Sequence, residues 1–334
     1  MKVTLKDVAN LTGVSIKTVS RVVNNQGEIG EETRIRILDA INQLGYRPNQ
    51  LARGLITGRT QAIGVIIPDI TDPFFPEIIL GAENAASERG YNVFLCNANR
   101  EPTLELKYVD LLSQRQVDGL IIAGSRLDKD GLMSAAKGHC TVILTPNSIP
   151  EATTFTIDEY YGGLQIGEHL LSLGHCQIGY VEGGWSKSNN AQSRQIGLIK
   201  SFQDAGSSHS VKTASIDLVT VDNACQAAKD LLKENRTITA LVGYNDVVAL
   251  GILQACRDLN LQVPKDISVV GFDDIPEASR QSPSLTSFHI DRLKLGSDMM
   301  NALLDEIEKE TGDHARIMVH GHLIPRKSSA AACI

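Results

Sequence analysis

The chain has few aromatic residues, no long apolar run and no paired cysteines, and each of these features excludes a class of protein. Only 4% of its 334 residues are aromatic, with one tryptophan, so its cores must be aliphatic. No apolar run approaches the roughly 20 residues that span a membrane, and Met1-Lys2-Val3 leaves no room for a secretion signal. Six scattered cysteines without a C-x-x-C pair are typical of reduced thiols. We therefore expect a cytoplasmic protein with no membrane partner.

The sequence also lacks the patterns that carry catalysis or hold a metal. The paired carboxylates Asp158-Glu159 and Asp273-Asp274 have no nucleophile or metal ligand near them in the chain. His320-Gly321-His322 is too isolated for a metal site and is more typical of a strand with outward histidines. We predict that the protein is not an enzyme and has no cofactor and no metal.

Charge is divided unevenly along the chain. Residues 1–60 contain nine Lys and Arg against five Asp and Glu, a net charge of +4, whereas the whole chain carries −7. The remainder therefore carries −11. A basic head on an acidic body indicates a polyanion partner for the head alone.

The residues from Thr4 to Asn24 have the pattern of two short helices joined by a tight turn. Thr4 and Ser15 are good helix N-caps, and Gly13 between the helices tolerates a positive φ. The apolar side chains fall on one face of each helix, which leaves Ile16, Lys17, Ser20 and Arg21 on the outer face of the second. This arrangement is typical of a helix-turn-helix whose second helix enters the DNA major groove, and the alternative is an ordinary helical hairpin.

A third helix and a short connector follow this pair. Residues 31–44 are amphipathic, and we predict that the apolar stripe of this helix is Ile35, Leu38, Ile41 and Leu44. Pro48 then enforces an extended connector, and Asn49 can cap a further short helix over residues 50–56.

From Thr60 onward, apolar runs alternate with helical patterns. Continuous apolar strands between helices indicate parallel sheets covered on both faces. Gln61-Ala62-Ile63-Gly64-Val65 and Gln177-Ile178-Gly179-Tyr180-Val181 begin two similar halves, which favours two α/β lobes. The predicted strands span residues 62–67, 93–96, 119–123, 141–144, 178–181, 240–242 and 267–271.

Polar residues follow several of these strands. Ligands bind at the carboxyl ends of strands in open α/β sheets, so these residues are candidates for a binding site. Carboxylates, an amide and an arginine that converge on a cleft suit a polyhydroxyl ligand. For each of them the alternative is an ordinary strand-end or loop residue. The candidates are Asp69, Asp72, Phe74, Thr145, Arg194, Asn245, Asp246, Asp273 and Asp274.

Together these motifs resemble the lactose/galactose-repressor family of bacterial transcription regulators. In the head, the resemblance is carried by T-L-K-D-V-A, G-V-S-x-x-T-V-S-R-V-V-N and L-G-Y-R-P-N-x-L-A-R-x-L. In the body it is carried by P-D-I-T-D-P-F-F at 68–75, Tyr244-Asn245-Asp246, Val263-Pro264 and Gly271-Phe272-Asp273-Asp274.

The resemblance implies a fold and a division into domains. The fold class is a small all-α helix-turn-helix head plus an α/β body of two parallel-sheet lobes, similar to periplasmic binding proteins. The head spans residues 1–48, a hinge helix and linker 49–60, and the effector-binding and dimerisation domain 61–334. The chain would cross between lobes near Asp158, near His289-Ile290-Asp291 and near His320. The N-lobe then comprises about 61–158 and 291–320, and the C-lobe about 159–290 and 321–334.

In the DNA interface, Ile16, Lys17 and Arg21 would reach base edges, and Arg21 can pair bidentately with guanine. By the resemblance, Leu55 matches a leucine that wedges into the minor groove, and Ala52 and Arg53 match its neighbours. The alternative for Leu55 is a linker residue packed on the body. The DNA-binding set is Thr4, Ser15, Ile16, Lys17, Thr18, Ser20, Arg21, Asn24, Asn49, Ala52, Arg53 and Leu55.

The resemblance also aligns Asp72, Phe74, Thr145, Arg194, Asn245 and Asp273 with effector-contacting positions. Two departures are present. Thr145 stands where many members have aspartate, and Val219 stands where several have an aromatic ring that stacks on the ligand. Trp185 could supply that ring, or it could be an ordinary surface residue of its loop.

We therefore predict a sequence-specific transcriptional regulator, a repressor, whose operator affinity is controlled by a sugar or sugar derivative bound between two lobes. Its partners would be a pseudo-palindromic operator in double-stranded DNA and a second copy of the chain, in a homodimer or a tetramer. The alternative is a sugar-binding protein with no DNA role. The sequence leaves open which effector binds, whether it induces or co-represses, and whether a protein corepressor takes part.

Overall fold

The computed structural model of the chain divides into two compact units, Met1–Gln61 and Ala62–Ile334. Within the part of the chain that the structure describes, no helix is both long enough and apolar enough to cross a bilayer. The described residues are 3–23, 27–47, 59–146, 149–183, 189–206, 210–309 and 314–332.

The described residues of the first unit form three helices, α1 (Leu5–Thr12), α2 (Ile16–Val23) and α3 (Glu31–Leu44). At the start of α1, the backbone N–H of Thr4 donates to Asp7 Oδ2 at 2.8 Å. At the start of α2, Ser15 Oγ accepts from the backbone N–H of Thr18 at 3.1 Å. Gly13 has φ +71°, which lets the chain turn sharply from α1 into α2.

The core of this unit corrects one prediction from the sequence. Val8, Val19 and Ile37 are fully buried at its centre, whereas Ile35 and Leu38 are 51% and 42% exposed. The inner face of α3 is therefore rotated from the predicted stripe and is formed by residues 37, 40, 41 and 44. Both sets fit the period of a helix, and the periodicity alone does not distinguish them because both include residues 41 and 44.

The second unit contains two six-stranded sheets. In the first the order is β11-β5-β4-β3-β1-β2, all parallel. In the second the order is β12-β10-β9-β8-β6-β7, parallel except for the β10–β12 pair. The strands of the first sheet are β1 (Ala62–Ile67), β2 (Asn92–Asn97), β3 (Gly119–Ala123), β4 (Cys140–Leu144), β5 (Thr153–Ile157) and β11 (Arg316–Val319). Those of the second are β6 (Gln177–Glu182), β7 (Ser210–Ser215), β8 (Ala240–Gly243), β9 (Ser268–Asp273), β10 (Thr286–His289) and β12 (His322–Ile324).

Helices cover the sheets and define a first lobe, built on the β1 sheet, and a second lobe, built on the β6 sheet. The first lobe has α4 (Phe75–Glu88), α5 (Pro102–Gln114), α6 (Lys129–Ala136) and α12 (Arg292–Lys309). The second has α7 (Glu159–Ser172), α8 (Asn189–Asp204), α9 (Val221–Glu234), α10 (Asp246–Asp258) and α11 (Pro276–Arg280).

The chain passes from one lobe to the other three times. It leaves the first sheet after β5 and enters α7 of the second lobe at Asp158. It returns between β10 and α12, and crosses again between β11 and β12. Each lobe is therefore assembled from separate segments of the chain.

The strands differ in burial according to their place in the sheet. All six residues of β1, at the inside of the first sheet, are buried, as a continuous apolar run requires. Strand β2 was also expected to be buried, but it lies at the sheet edge, where Phe94 is 53% and Leu95 42% exposed. The apolar run at residues 93–96 is thus a sheet edge rather than a buried strand.

Candidate functional site

The outer face of α2 is the candidate nucleic-acid surface. Ile16, Lys17 and Arg21 are exposed, and Val19 and Val22 on the opposite face are buried. Ser15 and Thr18 are joined by a hydrogen bond of 2.8 Å between their hydroxyls at the start of the helix. Thr4 is exposed at the start of α1, and Ser20 is half-buried. The remaining residues of the predicted DNA interface lie outside the described residues: Asn24, Asn49, Ala52, Arg53 and Leu55.

The candidate effector residues of the second lobe lie at the carboxyl ends of its strands or on the adjacent helix. Asn245 follows β8, Asp273 ends β9, and Arg194 lies on α8. All three are almost fully buried. Charge and amide groups at such depth require partners, so their hydrogen bonds indicate what each can do.

Arg194 is held by a buried ion pair. Its Nη2 and Nε both donate to Oε2 of Glu159 on α7, at 2.6 and 2.8 Å, and its Nη1 donates to the carbonyl of Tyr244. The guanidinium carbon lies 3.2 Å from the ring centroid of Phe272 and 4.8 Å from that of Tyr244. Three of its five N–H donors thus bond to described residues, and the other two make no hydrogen bond within that part of the chain.

A close crossing of α7 and α8 permits this ion pair. A Cβ placed on Gly163 of α7 would lie 2.0 Å from the backbone oxygen of Arg194. Only glycine allows the two helices to approach this closely. The sequence thus places Arg194 over the start of α7, where Glu159 lies.

Asp273 presents a buried carboxylate that makes no hydrogen bond to any described residue. Burial raises its pKa well above the ordinary value for aspartate; the charge of Arg194 opposes this, and the carboxylates of Asp246 and Asp72 add to it. The two lobes meet at this point, because Arg292 of the first lobe donates to the backbone carbonyls of Asp273 and Asp274 in the second. Within the described residues the carboxylate is an acceptor without a hydrogen-bond donor, and a hydroxyl-bearing ligand would supply one.

The neighbouring polar residues have structural partners. Asn245 Oδ1 caps α10 by accepting from the backbone N–H of Val248 at 3.0 Å, so its amide nitrogen is the group left for a ligand. Asp246 accepts from Ser287 Oγ at 2.6 Å and from the backbone N–H of Ile275 at 2.8 Å. Burial raises the pKa of Asp246 to about 7.

In the first lobe, Asp72 lies between β1 and α4. Its Oδ1 accepts from the backbone N–H of Phe74 at 3.1 Å, and its Oδ2 accepts from Arg100 Nη2 at 3.4 Å. Burial raises the pKa of Asp72, against the hydrogen bond from Phe74 and the charge of Arg100. Thr145, after β4, is buried, and its carbonyl accepts from Thr156 Oγ1.

The structure adds residues that the sequence pattern did not select. Arg100 follows β2 and also pairs with Asp69 at 2.9 Å, so the strand-end rule applied to β2 would have found it. Tyr244 directly follows β8, so the strand-end rule would also have found it. Glu159 carries no such signal, because its role depends on Arg194, which is distant in the chain. A Cβ on Gly183 would lie 2.7 Å from the Tyr244 ring and 3.0 Å from Val219. An aromatic ring therefore lies beside Val219. Trp185 lies outside the described residues.

No group of three His, Cys, Asp or Glu side chains within the described residues is arranged to hold a metal ion.

A three-helix head and a two-lobe body with strand-end polar residues define a DNA-binding regulator with a ligand-binding domain. The comparisons with known proteins agree. Residues 4–49 match the bacterial regulatory proteins of the lacI family, and residues 60–327 match the periplasmic binding proteins and sugar binding domain of the LacI family.

Individual relatives match over nearly the whole chain. The transcriptional regulator RegA of Clostridium saccharobutylicum is 33% identical over 331 residues, 98% of this chain and 100% of RegA. The lac repressor dimer bound to operator and the anti-inducer ONPF has a TM-score of 0.88 at 28% identity, covering 99% of this chain and 100% of that one. The regulator CelR in complex with cellobiose has a TM-score of 0.72 at 28% identity, covering 98% and 100%.

The chain belongs to the LacI family of bacterial regulatory proteins. It is a DNA-binding transcriptional repressor with a small-molecule effector domain, and it is not an enzyme. The fold class predicted from the sequence is confirmed.

Proposed function

We propose that the effector is a sugar or sugar derivative held between the lobes by Asp72, Phe74, Thr145, Arg194, Asn245 and Asp273. The observation that supports this most is the carboxylate of Asp273, buried and without a hydrogen bond from any described residue. The charge of Arg194 acts on this carboxylate and opposes the rise of its pKa. Arg194 keeps two N–H donors that no described residue accepts. Paired acceptor and donor groups of this kind recognise adjacent hydroxyls.

Aromatic surface completes the site. Phe74 follows Asp72 directly and contacts Phe75 edge-on, with ring centroids 5.2 Å apart. Tyr244 lies on the opposite lobe beside Val219. We assign to these rings the stacking on the apolar face of a sugar, and Trp185 remains a candidate for the same role. The cellobiose complex of the related CelR supports a carbohydrate as the ligand class.

For the head, we propose that Ile16, Lys17 and Arg21 read base edges in the major groove. Thr4, Ser15, Thr18, Ser20 and Asn24 would contact phosphates or fix the turn. Asn49, Ala52, Arg53 and Leu55 would bind the minor groove. The head, residues 1–48, would then be joined to the body, 61–334, through a hinge over 49–60. Since its target is bacterial DNA, the protein would act in the cytoplasm.

We further propose that the chain acts as a homodimer on a pseudo-palindromic operator. Leu80 on α4 and Phe94 and Leu95 on the β2 edge are exposed apolar residues of the same lobe. An open apolar sheet edge is a surface that a stable protein covers. A second copy of the chain would cover it and would bring two heads to two half-sites.

A thermal-shift screen of the full-length protein tests the effector site. The panel contains cellobiose, ribose, glucose, galactose and their phosphates, and the operator is selected from random duplexes. At least one sugar should raise the unfolding temperature and change operator affinity. Asp273→Asn should weaken the binding of that sugar by about tenfold or more, since the amide replaces one of the two carboxyl oxygens with a nitrogen that cannot accept a hydrogen bond. Asp222→Asn, an exposed carboxylate of the same lobe, is the control. Equal affinity of wild type and Asp273→Asn would refute the assignment.

A further inference from the structure

Arg292 links the two lobes beside the effector residues. It is the first residue of α12, in the first lobe, and it is 3% exposed. Its Nη2 forms an ion pair with Oε2 of Glu77 on α4 at 2.7 Å. The same nitrogen donates to the carbonyl of Asp274 at 3.0 Å, and Nη1 donates to the carbonyl of Asp273. One guanidinium of the first lobe thus holds two consecutive carbonyls of the second.

Those carbonyls belong to a backbone turn that needs support. Asp273 has φ +98° and Asp274 has φ +53°, two adjacent left-handed residues that are not glycine. A single aspartate adopts a positive φ in many loops, but two such residues in succession are held in place by their surroundings. Besides Arg292, Ser287 Oγ accepts from the backbone N–H of Asp274 at 3.1 Å.

The carboxylates of the two aspartates in this turn have different partners. The Asp274 carboxylate is held by His289 Nδ1 at 2.9 Å and by Arg326 Nη1 at 2.6 Å. The Asp273 carboxylate is left without a hydrogen bond from any described residue, beside Arg194. The position of the proposed effector acceptor therefore depends on the backbone that Arg292 holds.

Glu77 holds Arg292 in turn. The carboxylate lies in the first turn of α4, in the first lobe, and Arg292 contacts both this carboxylate and the carbonyl of Asp273. Arg292 Nε is buried and has no hydrogen-bond partner among the described residues. Within the described residues the guanidinium is held by Glu77 of its own lobe and by the carbonyls of Asp273, Asp274 and Ile290.

We propose that Arg292, oriented by Glu77, is an interlobe positioning residue that couples the effector turn at Asp273-Asp274 to the first lobe. The inference rests on the proposed effector site. A ligand that binds Asp273 shifts the backbone of the Asp273-Asp274 turn, and Arg292 transmits this shift to the first lobe. The reverse also holds, so a change in Glu77 alters the turn although the two do not touch.

Hydrogen–deuterium exchange of the full-length protein without ligand tests this coupling. Arg292→Gln and Glu77→Gln should both speed exchange in peptides over residues 271–278 by about tenfold, the ratio that losing one charge-assisted hydrogen bond produces. The double variant should add nothing to Arg292→Gln. Arg292→Lys, which keeps the charge and one donor direction, should restore part of the protection.

Arg89→Gln is the matched control. Arg89 also joins α4 to α12, through Asp305 at 2.9 Å and Glu308 at 2.6 Å, but these contacts stay within the first lobe. The Arg89→Gln variant should speed hydrogen exchange in α4 and α12 and leave the exchange rate over residues 271–278 unchanged. A purely structural role of Glu77 would give the same pattern as Arg89→Gln, and that result would overturn the proposal.

A second measurement uses the panel sugar that binds wild type. Sugar affinity is measured first on the DNA-free variant. At sugar concentrations that saturate each protein, Glu77→Gln should reduce the effect of the sugar on operator affinity by about fivefold, a typical allosteric coupling. If no panel sugar binds wild type, the proposed effector class fails, and the exchange experiment still decides the role of Arg292.

Discussion

Arg194 and Glu159 form a buried ion pair in which Nη2 and Oε2 are 2.6 Å apart and both side chains are about 5% exposed. Burial alone would lower the pKa of Arg194, but the carboxylates of Glu159 and Asp273 outweigh it and raise the pKa. The guanidinium is therefore charged throughout the range in which the protein is folded. The pair sets the shape of the cleft wall in the second lobe.

Replacing Glu159 with Gln should destabilise the protein strongly. The change leaves a buried guanidinium without its counter-charge, which typically costs about 3–5 kcal/mol. Urea unfolding measures the free energy of unfolding of wild type and variant. Glu168→Gln, an exposed glutamate on the same helix, should change it by less than about 0.5 kcal/mol. Equal losses in the two variants would mean that the pair contributes nothing specific.

Arg21→Ala should relax specificity at one base pair of each half-site. The forked guanidinium on the exposed face of α2 suits the N7 and O6 acceptors of guanine, and its loss should cost about 1–3 kcal/mol per half-site. Competition binding against operators with single base changes measures the preference. Arg36→Ala, which removes the same charge from the exposed surface of α3, should keep every base preference. An Arg21→Ala profile identical to wild type would reject the assignment.

Acid should destabilise the second lobe through His175. This buried ring lies within hydrogen-bonding distance of Thr239 Oγ1 at 2.8 Å and of the Ala330 carbonyl at 3.0 Å, and burial lowers its pKa. In the unfolded chain His175 takes up a proton near pH 6.5, whereas in the folded chain its lowered pKa keeps it neutral at that pH. The free energy of unfolding therefore falls as the pH drops below 6.5.

Unfolding curves at pH 7.5 and at pH 5 measure this loss. His175→Gln should lower stability at pH 7.5 and flatten its dependence on pH between these values. His322→Gln, an exposed histidine, should keep the wild-type dependence. If His175→Gln retained the full loss in acid, the proton would be taken up elsewhere, for example by His169.

Phe94→Lys should convert the dimer into monomers. A lysine on the β2 edge places a charge in the apolar surface that the second copy is proposed to cover. Sedimentation velocity gives the mass of each species. Met318→Lys, which changes an exposed apolar residue on β11 at the opposite edge of the same sheet, should leave the dimer intact. A dimeric Phe94→Lys variant would place the interface elsewhere.

The sequence predicted the parts of the fold that depend on local patterns. Strands β1 and β3 match the predicted bounds because their runs are apolar throughout. Strand β10 was missed because Thr286 and Ser287 are polar, although both are fully buried. Thr286 Oγ1 is 2.8 Å from Ser329 Oγ, and Ser287 donates to Asp246. Partners so far along the chain leave no trace in a periodic pattern.

In the candidate effector site, too, local patterns were predictable and partners distant in the chain were not. Asp72, Asn245 and Asp273 could be selected because each follows a strand. Glu159 could not, because its partner Arg194 lies 35 residues away. The turn at Asp273-Asp274 also gave no signal, because Asp and Asn tolerate positive φ in many ordinary loops.

The three passages of the chain between the lobes limit how such regulators can be recombined. A head can be exchanged by cutting the chain once, near residue 60. A single lobe cannot be transplanted that way, since its sheet and covering helices come from segments separated by the other lobe. A chimaera with a new second lobe needs junctions at Asp158, at 290–291 and at 320–321. Recombination therefore changes DNA specificity more easily than effector specificity, because the residues that line the cleft must be replaced one at a time.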